Sequence, residues 1–214
     1  RVKLAMSLDG RTAMASGESQ WITGPAARSA VQRLRAQSSA VLTGADSVIA
    51  DGARMTVRAA ELGLDAETVE LATRRLQAGT ALVVTCADAA AHPQYAQGGH
   101  ELLSLRGEDG RVDLLKLSIE LARRGINEVL VEAGASLAGA FARQGLVDEY
   151  QLFIAAKFMG STARPLLDWP LERMSEAAPL QIIEMTAVGD DWRVIAVPAP
   201  NPAPQPATVP TKRV

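Results

Sequence analysis

Val129-Leu130-Val131-Glu132-Ala133-Gly134-Ala135-Ser136-Leu137-Ala138-Gly139-Ala140 holds the decision about the fold. The run into Glu132 is apolar and β-branched without alternation, as a strand covered on both faces reads. Small residues then allow a tight turn, and Ser136 to Gln144 has the composition of a helix, with the serine placed to cap it. A strand that feeds a helix through a short turn is half of a strand-helix-strand unit, the building block of a parallel sheet. Such a turn also offers chemistry. The first amides of a helix lack intrahelical partners and, with the helix dipole, favour an anion such as a dinucleotide pyrophosphate. The spacing is not GxGxxG, so the turn taken alone reads equally as tight packing. Glu132 stands at the carboxyl end of its strand, the edge at which open α/β sheets bind ligands, although a plain surface carboxylate would look the same.

The same reading extends in both directions. Val2 to Met6 predicts a strand ending in the turn Ser7-Leu8-Asp9-Gly10, where Asp-Gly tolerates positive φ. Ala26 to Gln37 predicts a helix behind Thr23-Gly24-Pro25, and Ala40 to Thr43 a buried strand. Asp65 to Gln77 has helical spacing, and Ala81 to Thr85 and Glu101 to Leu105 are strand-like. Val112 to Arg124 predicts a helix closed by Gly125. Glu149 to Ala155, Gln181 to Thr186 and Trp192 to Val197 predict strands, the last two as a hairpin over Gly189-Asp190. The fold class is α/β: a mostly parallel central sheet flanked by helices, with an antiparallel C-terminal hairpin. Residues 1–197 make one domain, and the prolines from Pro198 to Pro210 make 198–214 an extended tail.

Composition removes several classes of function. A net charge of -2 gives no basic field for nucleic acid. With Cys86 as the single cysteine and His92 and His100 the only histidines, neither a disulfide nor a Cys/His zinc site can form within this chain, and no metal is expected. No apolar run is long enough to cross a bilayer, and a cytoplasmic location is expected. A strand beginning at the second residue, behind Arg1, reads as a fragment of something longer.

Two further polar stretches attract notice. Ser7-Leu8-Asp9-Gly10-Arg11-Thr12-Ala13 with Gly17-Glu18-Ser19-Gln20-Trp21-Ile22-Thr23 is a loop of the kind that carries function on a rigid scaffold, though Trp21 reads as well as a core anchor. Arg33-Leu34-Arg35, with Asp51 and Thr56-Val57-Arg58, could grip a phosphate, guanidinium forks being suited to that task, or could be a solvated charged face.

Taken in order, Lys3 to Ala13, Gly17 to Thr23, Leu34 to Gln37, Thr56 to Arg58 and Glu132 to Ala140 together resemble one family, the reductase domain of the bifunctional riboflavin-biosynthesis deaminase/reductase, which has a dihydrofolate-reductase-like fold. The resemblance runs from residue 1 to about Val197. It implies an NADPH site formed by Ala5, Trp21, Ser47, Asp51 and the segment Gly134, Ala135, Ser136, Leu137, Ala138, Gly139 and Ala140. It implies that a phosphorylated ribosylaminopyrimidine meets Ser19, Arg35, Met55, Arg58 and Glu132, the arginines taking the 5-phosphate. Hydride would pass to C1 of the ring-opened ribose, with Lys3, Asp51 and Glu132 as candidates for moving a proton or orienting the substrate. A homo-oligomer, a dimer foremost, is expected, as is an N-terminal deaminase domain in the parent protein; its zinc signature does not occur here.

Two departures from the family pattern stand out. Gly52-Ala53-Arg54-Met55 replaces an Asp-Pro-led turn before Thr56, and only Ala78-Gly79-Thr80 separates Gln77 from Ala81, where the resemblance leads one to expect another strand. A strand with its loops needs roughly 15 to 20 residues, so a segment is expected to be missing near 77–80. Two rival readings remain at this level. One is a reductase of the same fold acting on a pterin or folate; the other is a non-catalytic domain whose strand Glu149 to Ala155 pairs across a dimer.

Overall fold

The computed structural model describes residues 1–51, 55–58, 62, 81–88 and 100–200. In chain order the elements are β1 (Val2–Ser7), β2 (Arg11–Ala13), α1 (Pro25–Ala36), β3 (Ala40–Leu42), α2 (Ala45–Asp51), β4 (Leu82–Thr85), β5 (Glu101–Ser104), α3 (Leu114–Arg123), β6 (Val129–Val131), α4 (Ala135–Arg143), β7 (Tyr150–Ala155), β8 (Arg164–Pro165), β9 (Leu180–Val188) and β10 (Asp191–Pro198). Six of them form the central sheet in the order β3-β6-β1-β7-β10-β9. The first four are mutually parallel, and β10 runs antiparallel to both β7 and β9. This is the mostly parallel sheet with an antiparallel hairpin that the sequence implies; Gly189 turns the hairpin at φ 64.

Period-two alternation sorts the side chains into two layers. Val2, Leu4, Val131 and Tyr150 face α3 and α4, where Leu117, Leu121, Ala138 and Phe141 complete the larger core. Leu130 and Phe153, both fully buried, face α1 and meet Ala27, Val31 and Leu34. Burying a side chain of that size contributes about 1.5–3 kcal/mol. The helices therefore lie on opposite faces, and the crossovers leave in opposite directions: β1 reaches β3 by way of α1, and β6 reaches β7 by way of α4. Between β6 and β1 lies the switch point at which such sheets open a crevice. The register deepens it. β1 pairs with β6 only at Val2↔Val131 but follows β7 as far as Ser7↔Ala155. Lys3 to Ser7 thus stand beyond the end of β6 as a wall roughly 16 Å long, at about 3.3 Å per residue.

Several expectations are corrected. Ser136 does not cap α4: Gly134, extended at φ -69 and ψ 174, takes the N-cap position without a side-chain hydrogen bond, and the helix begins at Ala135. Ala40–Leu42 is half-buried rather than buried, because β3 is the outer strand of the main sheet. The strand at Glu149 to Ala155 is not available to pair across a dimer, since β1 and β10 occupy both of its edges. α2 and the small β2–β8 pair were not legible in the pattern. β4 and β5 form a separate parallel pair, packed on the larger core through Leu82, Val84 and Leu103. The expected helix Asp65 to Gln77, the missing segment near 77–80 and all of the tail beyond Pro200 lie outside the described residues.

Gly139 has a specific packing duty. A Cβ there would meet the Asp168 carbonyl oxygen at 2.6 Å, and Asp168 donates its backbone N–H to the Ala135 carbonyl at 3.0 Å. Backbone cannot move aside as a side chain does. Gly139→Ala should therefore cost about 1–3 kcal/mol of stability, as overpacking does. Urea unfolding measures it; an unchanged midpoint would refute this account.

Candidate active site

The crevice has a charged centre. The alternation that points Leu130 at α1 also points Glu132 there, and on β1 it points Lys3 the same way. Arg35, in the last turn of α1, closes over the pair. Its Nε donates to Glu132 Oε1 at 2.6 Å and its Nη2 to Oε2 at 3.1 Å, a bidentate fork. Lys3 Nζ stands 3.7 Å from Glu132 Oε2, and the Glu132 and Arg35 side chains are only about a tenth exposed. Burial draws the Lys3 pKa below the usual lysine value; Glu132 opposes that shift and Arg35 adds to it.

Other elements are tied to this centre. Arg35 Nη1 donates to the Thr56 carbonyl at 2.9 Å, and the backbone N–H of Arg58 donates to Gln32 Oε1 at 2.8 Å. Gln32 is buried on the inner face of α1, one turn before Arg35. Together these bonds hold Met55 to Arg58 beside the clamp, with the Arg58 side chain exposed. From the opposite face comes the start of α4, where a Cβ on Gly134 would meet open space. Gly44, just before α2, lies 3.7 Å from the Leu137 side chain by the same measure, so the helix that carries Ser47 begins beside the first turn of α4. Asp51 is the last residue of α2; its side chain lies outside the described residues. Ala5 packs against the α1 layer, Ala138 is fully buried in the other core, and Gly139 packs on Asp168.

Ser19 and Trp21 sit at the far end of the crevice wall, in the loop before α1. Trp21 is 60% exposed rather than a core anchor, and the Arg28 guanidinium lies 4.5 Å from its ring centroid. The loop is tethered at two points: Lys157 Nζ donates to the Trp21 carbonyl at 3.2 Å, and Asp191 Oδ2 accepts the N–H of Gly24 at 2.6 Å. Asp9 anchors the neighbouring turn, accepting from the Ser7 hydroxyl at 2.5 Å and from the amides of Met159 at 3.1 Å and Gly160 at 2.8 Å. Sequence reading missed Gln32, Asp9 and Asp191 as organisers of the site. Asp9 was visible only as part of its Asp-Gly turn, and Gln32 as a polar residue between Val31 and Leu34 on the helix. Among the described residues no group of three or more His, Cys, Asp or Glu could hold a metal ion, and no helix among them is long and apolar enough to cross a membrane.

Sheet order, opposed crossovers and a charged switch-point crevice define an α/β domain of the dihydrofolate-reductase-like class. More particularly, the chain belongs to the RibD C-terminal domain family, whose model matches residues 1–194. It is 41% identical over 212 residues to the riboflavin biosynthesis protein RibD of Escherichia coli K12, an alignment covering 89% of this chain and 57% of that protein. The structure of Acinetobacter baumannii RibD superposes with a TM-score of 0.79 at 35% identity, covering 94% of this chain and 58% of that one. The riboflavin biosynthesis reductase Rib7 of Saccharomyces, at 19% identity, shares the fold with a TM-score of 0.64 over 92% of this chain and 88% of its own. The chain thus spans somewhat over half the length of the RibD relatives it matches.

The Asp9 contacts make a pH prediction. The Ser7 hydroxyl above all, then the Gly160 and Met159 amides, lower its pKa from 3.8 to about 2 against an opposing effect of burial. A depressed carboxylate pKa adds stability that is complete above the unfolded value and is lost as pH falls through the folded one. Asp9→Asn should therefore flatten the acid limb of stability between about pH 4 and 2, read by thermal unfolding. An acid limb identical to that of the parent would exclude this role.

Proposed function

We propose that this domain reduces the ribosyl group of 5-amino-6-(5-phosphoribosylamino)uracil to the ribityl group, an oxidoreductase step of riboflavin biosynthesis, with NADPH as the cofactor. The observation that carries the reading is the Arg35–Glu132–Lys3 clamp standing beside the uncapped start of α4, in a chain of the RibD C-terminal domain family. The residues fit a dinucleotide. Gly134 leaves room for close approach, no side chain competes for the first-turn amides, and the helix dipole favours a pyrophosphate there. Gly134 to Leu137 would make that contact, with Ala138, Gly139 and Ala140 supporting it from below. Ala5, Trp21, Ser47 and Asp51 would line the rest of the cofactor.

When bound, NADPH supplies the hydride that C1 of the ring-opened ribose accepts. The chain's own residues do the rest. Arg35, which also holds Glu132 and the Thr56 carbonyl, and Arg58 would take the 5-phosphate, with Ser19 and Met55 bordering the substrate. Glu132, fixed by its fork, orients a ribose hydroxyl. Lys3, its pKa drawn down by burial, gives its proton to the substrate's imine nitrogen as C1 becomes saturated.

Oxidation of NADPH by the purified domain, offered the ribosylaminopyrimidine phosphate or dihydrofolate, tests the reading. Turnover of the first alone is expected; none with either, from folded protein, would overturn it. Arg58→Ala should raise KM at least about tenfold with little change in kcat, because a charge-assisted contact is lost. An unaltered KM would remove Arg58 from the site.

The domain is further proposed to act in the cytoplasm as a homodimer joined along β9. That strand lies at the sheet edge, and Ile182, Ile183 and Met185 on it are each more than half exposed, as edges awaiting a partner are. A second copy paired antiparallel about a two-fold axis would continue the sheet and cover them. Light scattering should find a dimer, and Ile182→Lys with Met185→Lys a monomer; a monomeric parent at micromolar concentration would end the proposal.

A further inference from the structure

Gln151 is a polar side chain in the wrong place for a spectator. It is the second residue of β7 and is 4% exposed. Its amide nitrogen donates to Glu149 Oε1 at 2.7 Å, while its carbonyl oxygen has no hydrogen-bond partner among the described residues. An unmet buried acceptor costs about 1–3 kcal/mol. The register sets a donor in the neighbouring position. Gln151 is the cross-strand partner of Lys3, so alternation puts both side chains on the α1 face of the sheet. On the other side of Lys3 stands Glu132, 3.7 Å from the ammonium, longer than a good hydrogen bond. An ammonium has three donors; among the described residues this one has a single distant partner, and the register sets beside it an acceptor with none.

We propose that Gln151 Oε1 is a second seat for the Lys3 ammonium, occupied when a ligand hydroxyl takes the Lys3-facing oxygen of Glu132, so that Lys3 stays protonated inside the crevice. Without that seat, an ammonium leaving Glu132 would face desolvation and the Arg35 guanidinium with no acceptor, and both drive its proton off. The charges facing Lys3 are Glu132 from β6 and Arg35 from α1. Glu149, beyond Gln151 on the β7 side, is shared with Arg1, whose Nε lies 3.4 Å away. Gln151 touches no reacting atom in this scheme and is a positioning residue that acts through Lys3. The ligand-driven part rests on the function proposed above; the pairing itself does not.

The test is the Lys3 pKa, read by NMR on the whole chain labelled in lysine, without ligand. Gln151→Leu keeps the volume and removes the acceptor, and should lower that pKa by about half a unit; Gln151→Glu should raise it. In a Glu132→Gln background, which imitates a Glu132 engaged elsewhere, Gln151→Leu should lower it by about one further unit. A Lys3 pKa unmoved by Gln151→Leu in both backgrounds would overturn the proposal, and if Glu132→Gln does not fold, the parent background decides. In turnover, Gln151→Leu should shift the pH profile of kcat while leaving KM alone. If the parent shows no turnover, the proposed function fails while the ligand-free pairing still stands or falls by its own measurement.

Discussion

A carboxylate nearly removed from water, Glu132, holds this molecule's crevice together by attracting cations from two other elements. Arg35 arrives from the end of α1 and Lys3 from the start of β1, and each would be costly to bury without it. Arg35 in turn fastens the Thr56 segment, and Gln32 on the same helix fastens Arg58. The path from one charge to the placement of four chain segments is short and wholly polar. It sits on an apolar foundation, because Leu130 and Phe153 lock α1 to the sheet at the angle that lets the fork reach.

That dependence also sets the electrostatics of the crevice. A fork that leaves Glu132 in one orientation makes it a fixed acceptor, and the partial burial that makes the pair strong also lowers the proton affinity of Lys3. The uncapped helix start opposite is a different kind of charge, spread over backbone amides and needing no side chain. One crevice thus presents a buried ammonium, an oriented carboxylate and a diffuse positive end, each produced by a different level of structure.

Much of this was legible in the sequence, for reasons that can be assigned. The strand at Val129 and the helices carrying Leu34 and Leu121 were visible because burial imposes their periods on composition. The antiparallel hairpin was visible because Gly189 marks its turn. Glu132 was visible as a charged residue at the end of an apolar strand. Contacts of long separation left no comparable trace: nothing near Asp191 suggests that it meets Gly24, and nothing near Asp9 suggests Met159. The cap of α4 was misassigned because Ser136 has the better side chain for the task, whereas the chain's direction is set by the extended Gly134. The exposed state of Trp21 was equally hidden, since an exposed tryptophan and a buried one look alike in a sequence.

The tether between Gly24 and Asp191 spans 167 positions, and that separation bears on how the protein comes into being on the ribosome. The N-terminal loop bearing Ser19 and Trp21 is synthesised early, yet its second anchor belongs to the last strand of the sheet. Until β10 has emerged and found β7, the N–H of Gly24, the residue that precedes α1, lacks the Asp191 acceptor and one wall of the crevice has no fixed position. Contacts of such separation form late because their loop entropy must be overcome first. A truncated nascent chain would hold Glu132 and Arg35 but not the finished crevice, which is among the last parts of the molecule to exist.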